Sequence, residues 1–242
     1  MGLEDLSILE ISEGITSIIW VICGTIVGIV MILKTKQFNY ILTGIAWILM
    51  CSPWWASSIQ FIIYITMNQT LDEKIYLLLT NVGITWGLLC WIYVFCVFAY
   101  PEWKNKLVLI YFIIVLVYQV LFLYLLYTNT KLIGTRTGLF NVNFGIIPLC
   151  FMIFGLMSIL VTGIMFSRKS MKMDDPNIKW RGRFLLIAFI LYTTGAMGDA
   201  AIPAASPLLT VITRLILIIS GIAFYFGFFL PKRVADWLIK AE

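Results

Sequence analysis

The hydrophobic residues of this chain fall into seven long runs, separated by short segments that hold nearly all of its Lys, Arg, Asp and Glu. A helix rises ~1.5 Å per residue and satisfies its own backbone hydrogen bonds, so roughly 20 apolar residues are needed to cross ~30 Å of hydrocarbon. Seven runs meet that length: Glu13 to Leu33, Tyr40 to Met67, Ile75 to Tyr100, Leu107 to Thr128, Val142 to Phe166, Phe184 to Ile202 and Pro207 to Leu230. The pattern predicts an all-α, polytopic membrane protein, a bundle of seven transmembrane helices. Only Pro203-Ala204-Ala205-Ser206 separates the sixth and seventh runs, and this uncharged turn predicts a tight helical hairpin. Pro53 lies near the middle of the second run, where a missing N–H and a clash with the preceding turn predict a kink. Gly24 and Gly28 in the first run, and Gly83 and Gly87 in the third, have the small-xxx-small spacing of closely approaching helices. Packing within one chain is the simpler expectation for both.

Composition supports the same reading, since 62% of the 242 residues are hydrophobic and 12% are charged, against roughly a quarter charged in soluble domains. Residues 1–242 therefore read as a single domain, multi-pass in the cell membrane, with the lipid bilayer as its first partner. The basic residues add a direction. Thirteen of them, Lys34, Lys36, Lys104, Lys106, Arg168, Lys169, Lys172, Lys179, Arg181, Arg183, Lys232, Arg233 and Lys240, fall on one face, and three, Lys74, Lys131 and Arg136, on the other. Cytoplasmic loops retain Lys and Arg, so the N-terminus is predicted outside and the C-terminus cytoplasmic. The acidic segment Met1 to Glu13 agrees, and it predicts a retained first span in place of a cleaved signal peptide. The net charge of +5 is then a topology signal, and no nucleic-acid partner is implied.

On the basic face the largest predicted loop, Ser167 to Arg183, carries Arg168, Lys169, Lys172, Lys179, Arg181 and Arg183. It is expected to meet anionic headgroups and to offer a surface to a cytoplasmic protein partner. The tail 232–242 places Val234, Trp237, Leu238 and Ala241 on one apolar stripe, suited to lying along the interface. Asn68-Gln69-Thr70, on the opposite face, fits a glycosylation acceptor.

Chemistry has few residues to work with. The chain has no histidine, and its five cysteines, Cys23, Cys51, Cys90, Cys96 and Cys150, lie in predicted spans at spacings that match no zinc or thiol-redox pattern. No metal, cofactor or enzymatic activity is expected. Two ionisable residues lie at membrane depth, Asp199 and Arg214, where charge is costly and faces a partner or a cavity. Folding the last two spans about their turn sets Asp199 opposite about Thr210, within reach of Arg214. The pair reads equally as a clamp between two helices or as the border of a small-ligand pocket. Trp54, Trp55, Trp86 and Trp91 lie deeper than an interfacial belt and predict an aromatic lining near Pro53, a plausible amine site beside an acid. The alternative for these rings is packing or lipid contact. Trp103, Trp180 and Trp237 read as interface anchors.

Ile45-Ala46-Trp47-Ile48-Leu49 and Ile187-Ala188-Phe189-Ile190-Leu191 run in the same direction through the second and sixth spans, as a three-plus-one-plus-three repeat would require. The closing helix, with Gly221 to Gly227 followed by Phe228-Phe229-Leu230-Pro231 and an amphipathic tail, resembles the seven-helix sensory region of microbial histidine kinases. That resemblance implies a sensor, here without the kinase, so that signalling passes to a separate partner. The last span has no lysine for a retinal Schiff base, and Arg214 stays protonated. Three readings remain: a seven-transmembrane receptor or sensor with a small ligand in its outer half, near Asp199, Arg214, Trp54 and Trp86; a small-solute transporter; and an accessory subunit of a membrane complex.

Overall fold

The computed structural model describes residues 6–34, 37–201 and 207–240. Among them, seven helical segments are long and apolar enough to cross a membrane, which makes this a multi-pass membrane protein. They are α1 (Ile8–Lys34), α2 (Phe38–Met50) continued by α3 (Trp55–Met67), α4 (Glu73–Ala99), α5 (Lys104–Thr128), α6 (Ile146–Met171), α7 (Pro176–Ala201) and α8 (Pro207–Phe229); α9 (Lys232–Lys240) follows. The Pro203 to Ser206 turn, the acids Glu4 and Asp5, Lys36 and Ala241 lie outside the described residues.

Local sequence explains several ends. Ser7 and Glu10 form a reciprocal cap at the start of α1: the Ser7 N–H and Oγ donate to Glu10 Oε2 at 2.9 and 2.8 Å, and the Glu10 N–H donates to Ser7 Oγ at 3.3 Å. Asp72 caps α4 by accepting from the N–H groups of Lys74 and Ile75. Asn68 ends α3 in the left-handed conformation, with φ of 53°.

The helices follow one another around a ring. α1 packs on α2 and α8, α2 on α4, α4 on α6, α6 on α7, and α7 most extensively on α8. α5 stands outside this ring against α4, and its apolar window is 22% buried, compared with 61% for α4. Two polar contacts hold it there: the Tyr118 hydroxyl donates to Asn81 Oδ1 at 3.1 Å, and Thr85 donates to Gln119 Oε1 at 2.9 Å.

The kink predicted at Pro53 is a complete interruption. A 3₁₀ turn, Ser52–Trp54, separates α2 from α3. The Trp54 N–H bonds the Cys51 carbonyl at 3.1 Å, and Pro53 has no N–H, so the Met50 carbonyl loses its helical partner. The Tyr192 hydroxyl of α7 donates to that carbonyl at 3.1 Å. Around the break, Trp20, Trp47, Trp54, Tyr192 and Phe224 form the aromatic centre of the bundle, with ring centroids between 3.9 and 6.4 Å apart.

Both small-xxx-small pairs grip this interrupted span, one from each side. A methyl group added at Gly28 would stand 2.7 Å from the Gly44 carbonyl oxygen, and one at Gly87 would stand 3.0 Å from the Met50 nitrogen. Gly24 faces Cys51, and Gly83 faces Ser52. The expected packing within one chain is what the helices do.

Two departures from the sequence reading concern the connections. The segment between α5 and α6 contains an antiparallel β-hairpin, β1 (Gly134–Thr137) and β2 (Asn141–Phe144), with Thr137 paired to Asn141. Gly138 in its turn has φ of 71°, a backbone that side chains disfavour. On the basic face, the predicted loop from Ser167 to Arg183 is mostly helical. Arg168 and Lys169 belong to the last turn of α6, while Lys179, Arg181 and Arg183 lie in α7. Lys172 alone of the six stands in the short connection, as the C-cap of α6. Cations stabilise a helix C-terminus, so α6 continues through residues that hydropathy alone reads as loop.

Because overpacking costs about 1–3 kcal/mol where backbone cannot give way, Gly28→Ala and Gly87→Ala should each lower the unfolding midpoint in detergent. Gly155→Ala, whose added methyl meets only Leu88 Cδ2 at 3.6 Å, should leave it nearly unchanged. Equal losses in all three would refute close backbone approach as the reason for these glycines.

Candidate functional site

The membrane-depth charges meet where α1, the 3₁₀ turn, α7, α8 and the β-hairpin converge. The Arg214 Nε lies 3.4 Å from Asp199 Oδ1. That nitrogen is buried and makes no directed hydrogen bond among the described residues, so the contact is ionic and poorly aligned. The other carboxylate oxygen of Asp199 accepts from the Trp54 indole N–H at 2.8 Å. Thr213 has one hydroxyl proton for two acceptors, the Thr210 carbonyl at 2.9 Å and Asp199 Oδ1 at 3.2 Å. Asp199 thus stands level with Thr213, about one turn beyond the Thr210 register expected from the chain.

A third charged residue completes the cluster. Glu13 is buried on α1, and its backbone carbonyl accepts from the Arg214 Nη1 at 2.6 Å. Its carboxylate takes the Asn141 side-chain amide at 3.3 and 3.4 Å and a hydrogen bond from Thr210. The guanidinium therefore contacts the Asp199 carboxylate and the Glu13 backbone carbonyl, and the Glu13 carboxyl group lies near enough to interact with it electrostatically. With all three ionised, the cluster holds an excess of one negative charge. Such a group is expensive to bury unless each charge is partnered.

The β-hairpin covers this cluster and is tied down by buried polar contacts. The Tyr76 hydroxyl donates to the Phe140 carbonyl at 2.7 Å, and Ser57 Oγ lies 2.9 Å from both oxygens. The Phe140 ring is buried edge-on against Phe61, with centroids 5.6 Å apart. Arg136 donates to the Leu71 carbonyl at 2.7 Å, the Leu139 carbonyl at 3.0 Å and Gln60 Oε1 at 3.2 Å, with its guanidinium 4.5 Å from the Tyr76 ring centre. The residue counted in the sequence as a minor charge of the less basic face is the hairpin's staple.

Small cavities reach the cluster. One of about 40 Å³ is bordered by Trp54, Tyr76, Asn141, Asp199 and Arg214, and one of about 60 Å³ by Pro53, Trp54, Tyr192 and Asp199. Each has room for on the order of a few waters. A larger space of about 290 Å³ lies beside the hairpin turn, with Glu10 and Glu13 on one side and Phe140 and Asn141 on the other. Phe140 and Asn141 also wall the inner cavity, so the two spaces are neighbours. Asp199 retains 16% side-chain exposure, whereas Arg214 has 2%.

Of the residues singled out by sequence, Asp199, Arg214 and Trp54 are in contact, and Pro53 adjoins them. Trp55 is half-buried and has no contact with the cluster among those described. Trp86 is 37% exposed on the outside of the bundle. Trp91 is buried, donates to Thr162 Oγ1 at 2.8 Å and faces a cavity toward the basic end. Five residues of helix turn the two rings about 140° apart, so Trp86 and Trp91 cannot share one lining. Glu13 was missed as a site residue, although a signal existed. It opens the stripe Glu13, Ser17, Trp20, Gly24, Val27 and Met31, which recurs at helical spacing and is the buried face of α1. Asn141 and Tyr76 carried no comparable signal, because the hairpin brings them in.

Among the described residues no group of three or more His, Cys, Asp or Glu is placed to hold a metal ion. No protein-family model, curated protein or solved structure matches the chain.

The charge count predicts an order of stabilities. Arg214→Leu strands two carboxylates and should cost about 3–5 kcal/mol, while Asp199→Ala, which leaves Arg214 facing Glu13, should cost less. Adding Asp199→Ala to Arg214→Leu should recover part of the loss in detergent unfolding curves. A double variant no more stable than Arg214→Leu alone would exclude the ionic pairing.

Proposed function

We propose that this chain is a seven-transmembrane receptor or sensor of the cell membrane that binds a small cationic ligand, such as an organic amine, under the β-hairpin. The reading takes the hairpin end as extracellular and the basic end as cytoplasmic, in keeping with the Lys and Arg distribution. The observation that carries it is that Arg214 pairs with Asp199 and bonds the Glu13 backbone, which leaves the Glu13 carboxylate beside a space lined by Glu10 and Glu13 without an ion-pair contact among the described residues. A ligand cation entering there supplies the missing positive charge. It would favour whichever packing leaves Glu13 open to it, and a ligand shifts an equilibrium only through such differential contacts.

The route inward follows bonds already described. Asp199 is held by the Trp54 indole, Trp54 ends the 3₁₀ turn, and the carbonyl freed by that turn is held by Tyr192 on α7. A shift of Arg214 relative to Asp199 therefore acts on the junction of α2, α3 and α7. The second span and α7 both continue to the basic end, where a separate cytoplasmic partner would read the change.

The order of helices supports this reading over a carrier built from a three-helix repeat. Two such halves would each form their own three-helix bundle, whereas here α1, α2, α4, α6, α7 and α8 succeed one another around one ring.

Two measurements test the proposal. Purified protein titrated with a panel of organic amines should show saturable thermal stabilisation, about 2.7 kcal/mol at a hundredfold excess over Kd. Glu13→Gln should abolish it, and Trp86→Phe should retain it. Solute-specific flux across proteoliposomes containing this protein alone would overturn the receptor reading. Separately, a C-terminal epitope should be accessible to antibody only in permeabilised cells; labelling of intact cells would reverse the orientation.

A further inference from the structure

Another cavity lies at the opposite end from the charge cluster. It measures about 440 Å³ and is bordered by α2, α4, α6, α7 and α8 at the basic end of the ring. That volume falls within the range of small-molecule sites, roughly 300–1,000 Å³. Its walls are graded. The end farther into the bundle is apolar, with Trp91, Val94 and Phe166, while Lys169, in the last turn of α6, and Arg181, near the start of α7, border it toward the basic end. Thr162, which holds the Trp91 indole, precedes Lys169 by seven residues on α6, so the apolar part extends about 10 Å below the basic rim.

The two cations are incompletely used. The Lys169 ammonium donates to the Ala99 carbonyl and lies 5.0 Å from the Tyr100 ring centre. An ammonium has three protons, so further donors remain. The Arg181 Nε is buried without a hydrogen-bond acceptor among the described residues. No carboxylate borders the cavity among those residues. Two positive charges at one end of an apolar recess call for a ligand with a negatively charged head and a hydrocarbon tail.

We propose that this cavity is a binding site for one anionic lipid from the leaflet at the basic end, its headgroup held by Lys169 and Arg181 and part of an acyl chain inserted toward Trp91. A soluble anion would leave the apolar depth unfilled, and a zwitterionic lipid would bring a cation of its own against Lys169 and Arg181. The site differs from general attraction of a basic surface to acidic headgroups, because it requires these two cations and this cavity.

The test uses the full chain in phosphatidylcholine nanodiscs doped with phosphatidylglycerol, with bound lipid counted by native mass spectrometry after release into detergent. One phosphatidylglycerol should stay bound per chain. Lys169→Gln combined with Arg181→Gln should weaken its retention at least ~10-fold, and Ser170→Phe, which fills the cavity and leaves both charges, should weaken it comparably. Arg168→Gln combined with Lys172→Gln, two exposed cations outside the cavity, should retain it. Circular dichroism and the unfolding midpoint identify any variant that has lost its fold, and Ser170→Phe then decides the matter with both cations intact. Equal loss in the two charge-pair variants would overturn the proposal in favour of surface attraction. Protection by glycerol phosphate equal to that by phosphatidylglycerol would overturn it in favour of a soluble anion, and unchanged retention in Ser170→Phe would place the lipid elsewhere.

Discussion

A proline in the middle of a membrane-spanning helix frees a backbone carbonyl where no bulk water is present to bond it, and much of this bundle is organised around meeting that need at Pro53. The Met50 carbonyl is met by Tyr192 from α7. The 3₁₀ turn that results directs the Trp54 indole to Asp199. The glycines of α1 and α4 allow both neighbours to approach the interrupted span closely, so that its weakened backbone is enclosed by protein on two sides. Irregular backbone at membrane depth is tolerated only when buried in this way. The break is consequently a junction at which packing, hydrogen bonding and buried charge are joined, and a disturbance of one is felt by the others.

The charge cluster adds a second constraint of a different kind. Packing around Pro53 is fixed by directed bonds and close backbone approach, whereas the pairing of Arg214 with Asp199 is not. Arg214 reaches Asp199 through Nε and the Glu13 backbone through Nη1, and its contact with Asp199 is long and poorly directed. Poor alignment means that little directional bonding is lost if the guanidinium shifts relative to Asp199, while its Nη1 stays anchored to the Glu13 carbonyl. The ion pair is thus held less tightly than the aromatic centre beneath it, whose rings lie within 3.9 to 6.4 Å of one another. The hairpin belongs to the same arrangement, since Asn141 holds Glu13 and Arg136 fastens the hairpin to Gln60 of α3 and to Leu71 in the connection from α3 to α4.

Much of the outline was legible from single residues. Pro53 announced the break, Gly24, Gly28, Gly83 and Gly87 announced close packing, and the isolation of Asp199 and Arg214 announced their pairing. Each is a local anomaly with a local cost, visible without knowing its neighbours. The tryptophans were less legible, because depth in the membrane says nothing about which way a ring points. Trp54, Trp86 and Trp91 share similar surroundings in the sequence, yet they end up on a carboxylate, on the outside of the bundle and against a distant cavity. The segment from Ser167 to Arg183 reads as a loop for a related reason. Hydropathy marks where the hydrocarbon ends, and α6 and α7 continue as helices beyond that point.

By itself the sequence determined the number of long apolar helices, the place where one of them breaks and the segregation of positive charge to one end. These follow from hydrocarbon thickness, backbone hydrogen bonding and the cost of charge, all of which act along the chain. Tertiary structure alone decided that Glu13 joins Asp199 at Arg214, that a β-hairpin covers them, and that Lys169 and Arg181 border a cavity. Those arrangements depend on rotation about each helix axis and on connections between helices, for which neither span length nor mean hydropathy carries information.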